Sequence, residues 1–188
     1  MSASLRIGVL AVQGNFREHL RVLARLGVEG VPVRKPEHLE GLDGLIVPGG
    51  ESTAIRRLMR VYELEEPLAA FRGPLFGTCA GMILFDREHL GLLDVKVLRN
   101  GYGRQVASFE ADVDLEDDDE PVRGVFIRAP RVEEVGEDVE VVGRLGEEPV
   151  LVREGRILAA SFHPELTDDT RVHERFLELV REERHVRA

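Results

Sequence analysis

The sequence has 188 residues, a formal net charge of −10 and a single cysteine. That length accommodates one domain, residues 1–188, with a core that needs no covalent staples. The acidic balance excludes a nucleic-acid partner, which needs a basic stripe. One cysteine excludes an internal disulfide and points to a reducing, cytoplasmic compartment. No run of 18 apolar residues occurs, and Met1-Ser2-Ala3-Ser4 leads straight into a strand, so no membrane span, signal peptide or transit peptide is expected.

Leu5 to Val12 is apolar except at Arg6 and Gly8, the pattern of a strand buried on both faces. Gln13-Gly14-Asn15 turns it into a helix with Phe16, Leu20, Leu23 and Leu26 at helical spacing, stopped by Gly27. Val31 and Val33 mark a second strand, and Pro36 opens a helical turn towards Leu42. Gly44-Leu45-Ile46-Val47 is the third strand, followed by the loop Pro48-Gly49-Gly50-Glu51-Ser52. Ser52 or Thr53 can cap a helix bearing Ile55, Leu58, Met59 and Tyr62. Leu64 to Phe71 is helical again, and Pro74-Leu75-Phe76 is a fourth strand. Strands and helices joined by short connections predict a mostly parallel central sheet flanked by helices, with ligands at the carboxyl ends of the strands. After Leu93 strand-like runs dominate: 95–98, 105–115, 122–127, 139–145, 150–153 and 156–161, the last two joined by a tight turn at Glu154-Gly155. They predict antiparallel or mixed strands added to the same sheet. A helix over 167–184, capped by Asp168 or Asp169, closes the chain, with its last residues fraying.

Phe76-Gly77-Thr78-Cys79-Ala80-Gly81 joins the fourth strand to the apolar run Met82-Ile83-Leu84-Phe85. Gly-x-Cys-x-Gly between strand and helix has the logic of a nucleophile elbow, in which glycines admit a sharp turn that lifts the nucleophile over the sheet edge. There the positive end of the helix dipole faces the sulfur. A buried packing cysteine is the alternative reading of the same stretch.

A nucleophile needs a base, and the base an orienting group. His19, His38 and His89 lie among charged residues on or beside predicted helices, which reads as surface. His173 and His185 fall in the last helix and tail. His163 instead follows the apolar strand Ile157–Phe162. Pro164 stiffens the next turn, and Glu165, two residues on, points the same way in an extended stretch, so it can reach the imidazole. A structural His-Glu pair is the competing reading. For an acyl transfer, the Ala80 N–H supplies one oxyanion donor, and the Gly49-Gly50 loop is the best source of the second. Two other features read as solvated surface. Glu116 to Glu120 lacks calcium-loop spacing, and Arg56, Arg57 and Arg60 form a wet helix face bordering a possible partner surface. No zinc-ligand spacing occurs.

Leu45–Thr53, Phe76–Gly81 and Ser161–Thr167 together resemble the class I glutamine amidotransferases. Within them the chain is similar to the glutaminase subunits of pyridoxal 5′-phosphate synthase. The likeness extends to Val12-Gln13-Gly14 with Glu18-His19, to Arg99-Asn100-Gly101-Tyr102-Gly103-Arg104-Gln105 and to Phe126–Pro130. Asn15-Phe16 departs from the small or aliphatic residues expected there, and 87–93 is short; neither departure touches the triad, though the first can alter the loop near the oxyanion site. The resemblance implies a flavodoxin-like three-layer α/β fold and a Cys79, His163, Glu165 triad, with oxyanion donors at Gly50 and Ala80. Glutamine would be held by Gly50, Glu51, Ser52, Arg99, Ile127 and Arg128. No cofactor and no metal are implied. The implied partner is the barrel-shaped synthase subunit, in a large hetero-oligomer with the glutaminase nearly idle until docked and Gln13-Gly14 in the loop that rearranges when the partner binds. A glutaminase of another pathway, such as histidine biosynthesis, shares the triad, but Gly-Gly-Glu-Ser-Thr favours the vitamin B6 branch. A related cysteine hydrolase would carry histidine directly after the cysteine, where this chain has Ala80.

Overall fold

A computed structural model describes residues 4–103 and 107–188, so Arg104 and Gln105, and with them the start of the strand expected from residue 105, lie outside the described residues. Along the chain run β1 (Arg6–Leu10), α1 (Phe16–Arg25), β2 (Glu29–Val33), β3 (Gly44–Val47), α2 (Ser52–Val61), α3 (Glu65–Ala69), β4 (Leu75–Thr78) and α4 (Ala80–Phe85). Then follow β5 (Val95–Leu98), β6 (Ser108–Leu115), β7 (Val122–Ile127), β8 (Arg131–Val135), β9 (Glu140–Leu145), β10 (Glu148–Glu154), β11 (Ile157–Ala160) and α5 (Arg171–Arg187). Short 3-10 turns occupy Pro36–Leu39 and Pro164–Leu166.

Nine strands form one sheet in the order β2-β1-β3-β4-β11-β10-β9-β6-β7. The pairings from β2 to β11 are parallel, and those from β11 to β7 antiparallel. Strands buried on both faces explain the apolar runs: Leu45 and Val47 face one layer while Ile46 faces the other. Ile55, Met59 and Leu68 of α2 and α3 cover the first face with α4. Leu23 of α1 and Val172, Phe176 and Val180 of α5 cover the second, around Phe76. The expected three layers are there.

The local differences have physical causes. β5 and β8 form a separate two-stranded sheet rather than extending the main one. The α2 cap is Glu51, whose carboxylate accepts the Ala54 N–H at 3.3 Å, not Ser52 or Thr53. Asp169 accepts the Arg171 N–H at 3.0 Å just ahead of α5, and that helix runs to Arg187 instead of fraying at 184. The acidic run is pinned to α5, with Asp117 on Arg175 at 2.8 Å and Asp118 on Arg171 at 3.0 Å. Arg56 and Arg60 both bind Glu65.

Register decides where the chemistry can sit. Val47 lies beside Gly77, and Thr78 beside Ala160. The loops after β3, β4 and β11 therefore leave the sheet side by side at its carboxyl edge.

Candidate active site

Between the end of β4 and the start of α4 only Cys79 remains to make the turn. Its φ of 49° and ψ of −102° fall where L-residues are rare, a strain of about 1–3 kcal/mol. The flanking glycines permit it. A Cβ on Gly77 would lie 2.6 Å from the Phe85 ring, and one on Gly81 would overlap the Val47 carbonyl. The Cys79 N–H donates to the Ala160 carbonyl at 2.8 Å, tying the turn to β11. The thiol lines a cleft of about 370 Å³, with Sγ 3.8 Å from the Ile127 carbonyl.

His163 reaches the same cleft from β11, held by its own N–H on the Val125 carbonyl at 2.8 Å. Its Nδ1 lies 2.6 Å from Glu165 Oε1. The pairing is as expected, but its geometry is not. Glu165 stands in the 3-10 turn Pro164–Leu166 rather than on an extended stretch. Burial works against a charged His163, yet hydrogen bonds to Cys79 and Glu165 outweigh it and raise the imidazole to about 10. Burial likewise opposes charge on Glu165, and its imidazole neighbours overcome this to hold the carboxyl down at about 2. A charged pair thus stands beside the sulfur, which suits proton exchange with a thiol.

Gly49 and Gly50 close the cleft over the histidine. A Cβ on Gly49 would overlap the His163 ring, so only glycine fits there. The Gly49 N–H is used by Thr78 Oγ1 at 3.1 Å, and its carbonyl accepts the Asn15 N–H at 2.9 Å. In the planar trans peptide that follows, the Gly50 N–H points the opposite way. Ala80 N–H opens α4, where a helix has no internal acceptor for it. The six residues expected to hold glutamine, Gly50, Glu51, Ser52, Arg99, Ile127 and Arg128, all line the cleft. Arg99 binds Glu51 at 3.0 Å and Thr53 at 3.1 Å, so an amino acid's carboxylate and ammonium would each find an opposite charge here. Arg128 carries a φ of 44°, which sets the strand end that presents the Ile127 carbonyl.

Three residues next to Cys79, His163 and Glu165 contradict their sequence reading or escape it. His19, expected at the surface, is fully buried, and its Nε2 is 3.5 Å from Glu165 Oε2. Asn15, expected away from the triad, places Nδ2 3.3 Å from Glu165 Oε1. His173 is also fully buried, against His19. The signal for both histidines is helical spacing: His19 shares a face with Val22 and Leu23, and His173 with Phe176 and Leu177.

A parallel sheet edge carrying a strained cysteine, a histidine–glutamate pair and a glycine loop has the architecture of a class I glutamine amidotransferase. Among solved structures, one described as a glutamine amidotransferase superposes with a TM-score of 0.87 at 52% identity, covering 93% of this chain and 98% of that one. The chain belongs to the SNO glutamine amidotransferase family, whose model matches residues 9–182. The pyridoxal 5′-phosphate synthase subunit PdxT of Thermus thermophilus is 56% identical over 185 residues, covering 92% of this chain and 96% of that protein. Its counterpart in Pelotomaculum thermopropionicum is 55% identical over 185 residues, covering 93% and 94%. A putative GMP synthase component from Thermoplasma acidophilum, at 17% identity, a TM-score of 0.79 and 100% and 99% coverage, shares the fold alone. No helix among the described residues is long and apolar enough to cross a membrane.

Proposed function

We propose that this chain is the glutaminase subunit of a pyridoxal 5′-phosphate synthase, hydrolysing glutamine to glutamate and ammonia. Cys79 Sγ attacks the side-chain amide carbon, and the carbonyl oxygen takes negative charge facing the Gly50 and Ala80 N–H groups. His163 gives its proton to the departing ammonia, and Glu165 keeps the ring oriented and its cation stable. Water then attacks the thioester, with His163 as base, and glutamate leaves. Arg99 and Glu51 exchange their mutual pairing for the substrate's α-carboxylate and α-ammonium, with Ser52, Ile127 and Arg128 completing the pocket. The ammonia passes to a separate barrel-shaped synthase subunit in a hetero-oligomer, in the cytoplasm, where the thiol stays reduced. One amidotransferase domain spans the chain.

The observation that carries this reading is the left-handed Cys79 sharing one cleft with His163, whose Nδ1 lies 2.6 Å from Glu165 Oε1. The chain mixed with the synthase subunit is expected to release glutamate from glutamine. Cys79→Ala should stop this while the partner still uses added ammonia. Glutamate release that survives Cys79→Ala would remove the cysteine from the mechanism.

A further inference from the structure

The triad chemistry uses one oxygen of Glu165. Behind the other lies a buried polar network to which that chemistry gives no task. His19 on α1 and His173 on α5 are both fully buried, packed edge-on against Phe76. A buried imidazole is costly unless its polar atoms find partners. His19 Nδ1 lies 2.9 Å from His173 Nε2. On its opposite edge, His19 Nε2 lies 3.1 Å from Thr78 Oγ1, and Glu165 Oε2, a buried oxygen with no hydrogen-bond partner among the described residues, stands 3.5 Å from the same nitrogen. Thr78 Oγ1 is the acceptor for the Gly49 N–H. One ring therefore touches both halves of the site: the carboxylate that orients the base, and the hydroxyl that anchors the glycine loop.

The contacts select a tautomer. A carboxylate oxygen only accepts, so the ring nitrogen facing Glu165 must carry the proton. Thr78 Oγ1 shares that proton through its second lone pair. His19 Nδ1 is then an acceptor, and His173 Nε2–H donates to it. This leaves a bare lone pair on His173 Nδ1, which has no partner among the described residues. The opposite assignment would strand an N–H there and set a His19 lone pair against the carboxylate, which is worse on both counts. Burial also keeps both rings neutral: it lowers His19, and it takes His173 down to about 3 with help from His19 beside it. Asn15 takes the carboxylate's other oxygen from the same helix face, four residues ahead of His19.

We propose that His19, fixed in its Nε2–H form by His173, is a positioning residue for the glutaminase reaction, holding Glu165 and the Thr78-anchored Gly49-Gly50 loop in mutual register. The inference rests on the glutaminase reading. It requires an N–H at the Nε2 position, not an imidazole as such. Glutamine can place an amide N–H there, whereas leucine fills similar space with no donor.

In the complex with the synthase subunit, His19→Leu should lower kcat for glutamate release about 10- to 100-fold with KM within about twofold, and His19→Gln should recover most of that loss. Thr78→Val, which removes only the hydroxyl, should lower kcat in the same sense. Circular dichroism and melting curves of each variant accompany the rates. A merely structural His19 predicts instead that activity follows the folded fraction, with no advantage for glutamine over leucine. Imidazole ¹⁵N NMR of the unmodified chain should show His19 neutral and protonated at Nε2, and it decides the matter even where a variant fails to fold. His19→Leu turning over at the wild-type rate, or a His19 ring found charged or protonated at Nδ1, would overturn the proposal. A wild-type complex that releases no glutamate would overturn the glutaminase reading, which the NMR result separates from the state of the network.

Discussion

His163 and His19 stand against opposite oxygens of the same carboxylate, at 2.6 Å and 3.5 Å, and differ in charge. Burial works against the cation at both. His163 overcomes it because two hydrogen-bond partners, Cys79 and Glu165, favour the charged ring. His19 does not, because burial dominates and His163, already charged beside the same carboxylate, opposes a second cation. A shared carboxylate is therefore not enough to charge a buried histidine; a second partner that gains from the proton decides it. In the proposed mechanism this difference keeps the moving proton on the cleft side and a fixed N–H on the core side.

The largest break comes from removing the group that singles out His163. Cys79→Ala should reduce glutamate release by the complex to background, read as glutamate formed per minute. Next, Glu165→Gln leaves both rings in place but replaces the shared carboxylate by a neutral amide. It should cost on the order of 10²- to 10⁴-fold in kcat, as when a triad carboxylate is made an amide; steady-state kinetics with unchanged KM would confirm it. The loss for His19→Leu falls below this, since it removes one contact to the carboxylate rather than its charge. Arg99→Ala lies outside the comparison and sharpens it. It should raise KM for glutamine about tenfold with little change in kcat, as for a contact made equally in ground and transition states. Arg99 is half exposed, which keeps the effect modest.

The smallest effect is on stability against pH. His163 is raised in the folded chain to about 10 from 6.5, so its charge contributes stability fully below about pH 6.5, and that contribution fades as pH climbs through about 10. Glu165 is depressed to about 2, so its contribution is present above its unfolded value of 4.5 and is lost only in strong acid. The difference in melting temperature between wild type and His163→Gln should therefore shrink between about pH 6 and pH 10. Burial lowers His19 from its ordinary 6.5, so the corresponding difference for His19→Gln should stay flat on the alkaline side and change only as pH falls through 6.5, where the unfolded ring takes a proton that the buried one resists.

The parts of the site that announce themselves in the sequence are those that local geometry controls. Gly77 and Gly81 are glycines because a Cβ would meet the neighbouring backbone or ring, and that requirement is written beside Cys79. His163 and Glu165 are two residues apart, so their meeting needs no knowledge of the fold. The parallel half of the sheet is equally legible, because strands buried on both faces are apolar at every position. The pairing of β5 with β8 is not, since valine-rich strands do not name their partner. Asn15 and Glu165 are 150 positions apart, and only the register of β1, β4 and β11 brings them together. His19 reads as surface because Arg17, Glu18 and Arg21 surround it in sequence, while the spacing that buries it runs through Val22 and Leu23.

The central claim is that His163, paired with Glu165, activates Cys79 for attack on a glutamine side chain. It is tested most directly by labelling with an electrophilic glutamine analogue in the complex, followed by peptide mass analysis. One adduct is expected, on the peptide containing Cys79, formed much more slowly in His163→Gln than in the wild type. Labelling at another residue, or at Cys79 with a rate that ignores His163, would contradict it.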